Sequence, residues 1–341
     1  MSGERRAWLD ACPGERRGVV TLGGRPERLL IERDDDPPVQ RLGARVAARV
    51  RALDRTSRIA FVDLGEGAPA TTPLVPGLTQ GAAVEVMVVA EARPGKGAVV
   101  RVDAAATGAA PRLLAPAPTL EERLAAWVPG AAPTSGWPAR EVADAADEAA
   151  LAAVHPLPGG GDLCIEPTRA LTAVDVDLGS AGGDAGKAVR RVNLQALTQA
   201  ARLLRLKGLG GLIVIDLIGQ GQAADPLLTA AREAFAPDQP GVVFGPLSRF
   251  GLLQLARPWR EAPVTSRLLD DAGRRSARTL ASDALRALER AGRDDPGGRF
   301  VALLAAEVAT VAERYASALG PRFAVRADLG RTRESPDIRR L

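Results

Sequence analysis

The sequence of 341 residues predicts a mixed α/β (α+β) protein of several domains, and three stretches carry that prediction. Residues 164–179 and 203–217 each end in a short β-like run bearing aspartate, with a helical pattern between them. Residues 43–103 alternate apolar and polar side chains in short runs broken by glycine, the pattern of a small all-β unit. Residues 277–320 repeat apolar side chains at helical spacing.

The first of these reads as a βαβ unit. Leu171, Ala173 and Val174 lead into Asp175 and Asp177, and a spacing of two places both carboxylates on one face of a strand. Leu212, Ile213, Val214 and Ile215 form a continuous apolar run ending at Asp216, the pattern of a parallel strand buried on both faces. Between them, Val189, Val192, Ala196, Leu197, Ala200, Leu203 and Leu204 recur along residues 187–207, and Gly208 follows as a stop, which makes this the crossover helix. A right-handed crossover sets the strands parallel and usually adjacent, so Asp175 and Asp216 are expected to project at one edge of the sheet, where open α/β sheets bind ligands. Converging carboxylates repel unless a cation or proton intervenes, and one or two of them with phosphate oxygens is a common way to hold magnesium. In the competing reading, Asp175 caps a turn and Asp216 pairs with a nearby arginine. Either acid alone favours that reading, whereas the pair favours the metal.

The remaining elements follow in order. Residues 1–34 read as two short strands punctuated by Pro13-Gly14 and Gly23-Gly24, and the run Asp34-Asp35-Asp36-Pro37-Pro38 marks a boundary. In residues 43–103, Ala44, Val46, Ala48 and Val50 alternate with Arg45, Ala47, Arg49 and Arg51, giving one apolar and one largely cationic face; further short strands follow around Ile59, Phe61, Val84, Val86 and Val88. Several short strands with glycine turns predict a small barrel. Residues 104–160 are rich in alanine and proline and predict helices on a flexible tether. A helix from Asp225-Pro226 to Phe235 and a strand at Val242-Val243-Phe244 come next. The helical pattern from residue 277 takes in Leu280, Leu285, Leu288, Phe300, Leu303, Leu304, Val308 and Val311, with a strand at Phe323, Val325 and Ala327 before an arginine-rich tail.

Composition mainly excludes. Cys12, Cys164 and His155 are the only cysteines and histidine, so one chain cannot assemble a Cys/His zinc cluster or a two-histidine acid–base pair. The opening MSGERRAWLD lacks the apolar stretch of a signal peptide, and no run approaches a membrane span, from which a soluble cytoplasmic protein is expected. A net charge of +4 is compatible with phosphate binding without requiring it. The cations are overwhelmingly arginine, with Lys96, Lys187 and Lys207 the only lysines.

At the paired aspartates a family resemblance becomes specific. Residues 165–177 (IEPTRALTAVDVD) resemble the catalytic signature of the RNase E/G family, an ALT-x-ID-x-N motif in a DNase I-like subdomain. Asn193-Leu-Gln-Ala followed by residues 204–218 (LRLKGLGGLIVIDLI) resembles a second signature, and residues 247–257 (LSRFGLLQLAR) resemble its SRFGLLEM-x-R block. More weakly, residues 6–16 (RAWLDACPGER) are similar to the family's opening strand and turn, and residues 59–74 to its inserted OB-fold barrel. The resemblance implies N-terminal strands packing on the catalytic core in residues 1–37, an OB-fold RNA-binding barrel in 38–103, a shortened helical or linker region in 104–160, a DNase I-like/RNase H-like catalytic core in 161–265 and a C-terminal helical small domain in 266–341.

Carried over position by position, the resemblance makes Asp175 and Asp216 the metal ligands for Mg²⁺ and adds Asp177 as a catalytic residue where the family usually has asparagine. Arg169 stands where the family generally has glutamate, and Gly219 where a further aspartate is common. Phe61 falls at a family aromatic used for stacking bases, while Thr71 replaces the second one. Arg45, Arg49 and Arg51 on the barrel and Arg249 and Arg257 near the core are the implied RNA contacts. The competing readings are a core position for Phe61 and an ordinary solvated surface for the arginines. Gln239 and Gly241 replace arginines that follow the family's acid at Asp238. The interval 104–160 is too short for the family's 5′-monophosphate sensor, and the paired cysteines of its zinc link are missing from the sequence, so neither zinc nor a zinc-linked tetramer is expected and a monomer or dimer is. The implied activity is magnesium-dependent endonucleolytic cleavage of single-stranded RNA to 5′-phosphate and 3′-hydroxyl ends; the alternative is a non-catalytic RNA-binding paralogue.

Overall fold

A computed structural model describes residues 3–108, 110–179, 185–219 and 224–341. They form a mixed α/β protein with several sheets. Strands β1 (Arg5–Cys12), β2 (Glu15–Leu22) and β3 (Arg25–Arg33) make an antiparallel meander. The sequence reading counted two strands here. The third forms because Leu29, Leu30 and Ile31 are all buried, so this strand has apolar contacts on both faces.

Strands β4 (Arg45–Asp54), β5 (Ile59–Asp63), β6 (Ala70–Pro73), β7 (Ala83–Ala90), β8 (Val99–Ala105) and β9 (Arg112–Ala115) form a second sheet. Their order is β5-β6-β8-β7-β4-β9, and a further β4–β5 pairing closes the first five into a ring. The interior is valine-rich, from Val46, Val50, Val62, Val84, Val86, Val88 and Val100, because alternation along the strands sends these side chains inward. Arg45, Arg49 and Arg51 are exposed, as the alternation predicts.

Helix α1 (Leu120–Trp127) starts at a Thr119/Glu122 capping box. The two-residue strand β10 (Thr134–Ser135) joins β1 in parallel, and α2 (Trp137–Leu151) follows. The expected tether is replaced here by packed structure. Ala139, Ala143, Ala146 and Ala150 are buried, so small side chains three and four apart let α2 lie close against β1 and β3. Arginine completes the contact: Arg17, 1% exposed, donates to Asp10, Asp144 and Asp147. Asp10 also takes Arg140 and Arg286, which ties β1 and β2 to α2 and to a C-terminal helix. The abundant arginine thus serves the interior as well as the surface, where a planar fork satisfies several carboxylates at once.

The largest core lies under a six-stranded sheet. It comprises β11 (Val154–Pro156), β12 (Asp162–Pro167), β13 (Thr172–Asp177), helix α3 (Ala185–Leu206), β14 (Gly211–Asp216), helix α4 (Ala224–Ala234), β15 (Val243–Leu247) and β16 (Leu252–Arg257), in strand order β11-β12-β13-β14-β16-β15. The βαβ unit forms as expected: β13 and β14 are parallel neighbours joined by α3. One expectation fails. β14 is buried on one face only: Ile213 and Ile215 are inaccessible, whereas Leu212 is 46% exposed. The neighbours β12 and β16 run antiparallel to β13 and β14, so no second crossover places a helix on the opposite face.

After α5 (Val264–Leu268) and α6 (Ala277–Asp294), the chain forms β17 (Phe300–Leu304), α7 (Ala306–Ala316), β18 (Phe323–Ala327) and β19 (Asp337–Arg340). The expected all-helical stretch is corrected: β17 is the central strand of a sheet ordered β18-β17-β19, and part of the arginine-rich tail is its edge strand. An apolar run as short as Phe-Val-Ala-Leu-Leu cannot be assigned to helix or strand by periodicity. No helix among the described residues is long and apolar enough to cross a membrane.

Candidate active site

The aspartates sit on the uncovered face of the six-stranded sheet. On β13, Val174 and Val176 point into the core, so Asp175 and Asp177 point outward. On β14, Ile215 points inward and Asp216 outward. Parallel pairing then sets Asp175 directly opposite Asp216. Across the antiparallel neighbours the row continues to Cys164 on β12 and Leu252 on β16. Asp162 stands opposite Asp177, two residues further along.

In a chain with 45 lysines and arginines, this pair is left without a cation. Among the described residues neither Asp175 nor Asp216 has an ion pair or a side-chain hydrogen bond, so the reading in which a turn or an arginine uses them does not hold there. Like charges directly opposite across strands are destabilising, and nothing described offsets them. Asp177 Oδ1 accepts from the backbone N–H of Gly179 at 2.6 Å, which fixes the chain as it leaves β13. Among the described residues no group of three or more His, Cys, Asp or Glu gathers as a metal cluster. Two hard carboxylate oxygens, with other positions left to water and phosphate, nevertheless fit magnesium's usual demand on a protein.

Three local devices hold this edge. Asn193, fully buried on α3, donates from Nδ2 to the Ile218 carbonyl and accepts at Oδ1 from the Ile218 N–H, both at 2.9 Å, so the crossover helix fixes the exit of β14 two residues after Asp216. Gly161 (φ +79°) crosses so near β13 that an added Cβ would lie 2.2 Å from the Asp177 carbonyl oxygen. The turn from β15 to β16 docks on the same exit, with the Leu217 N–H donating to the Gly251 carbonyl at 3.3 Å. Asn193 and Asp162 were not singled out from the sequence as site residues. The signal for Asn193 was a polar residue on the apolar face of α3, between Val192 and Ala196.

Cys164 shares the row with both aspartates. Burial, with the carboxylates of Glu166, Asp175 and Asp162, pushes its thiol above the ordinary range, which favours the neutral form.

The implied RNA contacts separate into groups. Phe61 is half-buried on the barrel and stands opposite Thr71, so the retained aromatic and the position of the missing one are cross-strand partners. Arg51 falls at a bulge between the Val50 and Ala52 pairings of β4 with β5. Arg249 is exposed in the β15–β16 turn. Arg257 is a correction: it is 7% exposed, with its guanidinium on Asp238 at 2.8 Å and on the Leu209 carbonyl. Asp238 also takes Arg205 at 2.6 Å, so Arg257 belongs to an interior pair and does not face a phosphate. Arg169 lies in the turn between β12 and β13, at the end of the sheet opposite the aspartates, so its replacement of an acid does not touch them.

Comparison with known proteins accords with this geometry. The model of the Ribonuclease E/G family matches residues 140–260. Ribonuclease E of Haemophilus influenzae is 39% identical over 105 residues, 30% of this chain and 11% of that protein. Ribonuclease E of Escherichia coli is 41% identical over 105 residues, 30% of this chain and 10% of its own length. The chloroplastic Ribonuclease E/G-like protein of Arabidopsis thaliana is 37% identical over 116 residues, 32% of this chain and 12% of its own. The matched stretch thus spans about a tenth of the length of these relatives. Residues 140–260, which hold the whole six-stranded sheet and the Asp175–Asp216 pair, are therefore the part of this chain that is similar to the Ribonuclease E/G family.

Proposed function

We propose that this chain is an endoribonuclease that cuts single-stranded RNA with Mg²⁺, leaving 5′-phosphate and 3′-hydroxyl ends. The observation that carries the reading is the unpaired carboxylate couple, Asp175 opposite Asp216, on an open sheet face within the family segment. Asp175 and Asp216 would hold the ion. Magnesium at such a site neutralises phosphate charge and lowers the pKa of water. Asp177 has Oδ1 occupied by Gly179 and leaves its second oxygen to orient a water molecule. Arg249 contributes a cation for the RNA backbone.

We read the ring of β4 to β8 as an OB-fold, a reading its strand order supports, and assign it to RNA binding through Phe61, Arg45, Arg49 and Arg51. The six-stranded sheet corresponds in this reading to the DNase I-like core.

The test is incubation of the purified chain with an unstructured, end-labelled RNA and magnesium, followed by analysis of the product ends. Cleavage to 5′-phosphate products, abolished in the Asp175→Asn/Asp216→Asn double variant, supports the reading. Undiminished cleavage by the double variant removes the assignment. One observation favours the second reading, RNA binding without cleavage: the family's usual asparagine is here the carboxylate of Asp177, held in a turn. RNA bound tightly but never cut with magnesium or manganese would select it.

A further inference from the structure

The β15–β16 turn presents a feature that neither the fold nor the aspartate pair uses. Phe250 is 59% exposed, although the chain has only six phenylalanines. The Arg249 guanidinium lies 4.7 Å from the centroid of its ring and has no ion pair among the described residues. A large apolar ring held in water with a cation over it gains little for folding.

The turn is nonetheless built firmly. Ser248 Oγ accepts from the backbone N–H groups of Phe250 and Leu252, at 3.2 and 3.1 Å. Ser248 N–H donates to the Leu252 carbonyl at 3.0 Å, and Gly251 N–H to the Ser248 carbonyl at 3.1 Å. Gly251 has φ +89°, and a Cβ there would lie 3.0 Å from the Leu217 carbonyl oxygen. The turn is therefore pressed against the backbone that leaves β14 just after Asp216. Leu252, two residues from Phe250, is the register partner of Asp216.

We propose that Phe250 is a stacking platform for one base of the RNA strand next to the scissile phosphate, with Arg249 taking the adjoining phosphate. Aromatic faces accept any base, and an arginine beside the ring adds charge for the backbone. The platform is fixed to the same strand exit as Asp216, so it registers the strand on the aspartate pair. This rests on the reading of the open sheet face as an RNA-cleaving site.

The experiment separates the two ideas by measuring binding without metal and cleavage with it. The probe is an unstructured oligoribonucleotide with a single 2-aminopurine moved along its length, mixed with the full chain in EDTA. Stacking quenches 2-aminopurine fluorescence at one position with wild-type protein. Phe250→Ala is expected to abolish that quenching and lower affinity about tenfold with an unchanged salt slope, while Phe250→Trp retains both. Arg249→Ala is expected to reduce the salt slope by about one. Equal quenching and affinity for wild type and Phe250→Ala would overturn the platform, even if both proteins cut RNA. Position-specific quenching that depends on Phe250 in a protein that never cuts would leave the platform standing and remove the nuclease reading.

Discussion

Asp175 and Asp216 face each other across adjacent parallel strands, both on the uncovered side of the sheet and both without an ion pair among the described residues. Two carboxylates in that position repel each other, and the magnesium ion proposed above would relieve that repulsion. Their consequences can be measured separately in stability and in turnover.

Asp175→Asn or Asp216→Asn is expected to lower magnesium-dependent cleavage by at least ~3 kcal/mol, roughly a hundredfold. In EDTA the same variants should melt at or above the wild-type temperature, because relieving a like-charge cross-strand pair is worth about 0.2–1 kcal/mol. A clear drop in melting temperature would mean that the carboxylates hold structure.

On the barrel, Arg51→Glu and Phe61→Ala are expected to weaken RNA binding in different ways. Charge reversal at the exposed bulge should flatten the dependence of affinity on salt, since counterion release follows the number of phosphate contacts. Truncation of the ring should cost about 1–3 kcal/mol with little change in slope. Titrations at several salt concentrations distinguish these outcomes, and identical slopes for wild type and Arg51→Glu would show that this face does not track the backbone.

Arg257→Ala is expected to destabilise the protein by about 1–3 kcal/mol, because it leaves Oδ1 of buried Asp238 without its donors while Arg205 still holds Oδ2. Chemical denaturation reads that loss. RNA affinity, measured well below the melting temperature, should keep the wild-type salt slope; a slope reduced by one phosphate would return Arg257 to the RNA contacts.

Acid should destabilise the fold through His155. Burial first, and then the nearby Lys207 cation, depress this imidazole from 6.5 to about 4. Lys207 is held there because its Nζ donates to the Ala150 and Ala152 carbonyls at the end of α2. In this range the unfolded chain takes up a proton that the native state refuses, so stability is full above about pH 6.5 and falls as pH drops towards about 4. Denaturation of wild type and His155→Gln across this window checks the sign: the variant should lose part of the slope, and parallel curves would exclude the histidine.

Much of the site was legible because its determinants are local. The alternation Val174-Asp175-Val176-Asp177, the apolar run into Asp216 and the helical repeat between them are short-range patterns, and together with the handedness of crossovers they place two acids at one sheet edge. The barrel was legible for the same reason, from the alternation along β4 and β7. The C-terminal sheet was not, because the five apolar residues of β17 carry no period that distinguishes strand from helix. Nor was the packing of α2, whose alanines look like linker composition until Arg17, Arg140 and the neighbouring strands close on them.

Where a segment shows its period, the sequence by itself determined which residues share a face of the strand or helix, since that follows from backbone periods of 2.0 and 3.6. Tertiary structure alone decided what stands across from them. Register made Asp175 the partner of Asp216, left one side of the sheet bare, turned Arg257 inward onto Asp238 and set Phe250 beside the exit of β14. Those relationships depend on contacts between segments tens of residues apart, whose free energy belongs to the assembled sheet and is encoded in no single window of the chain.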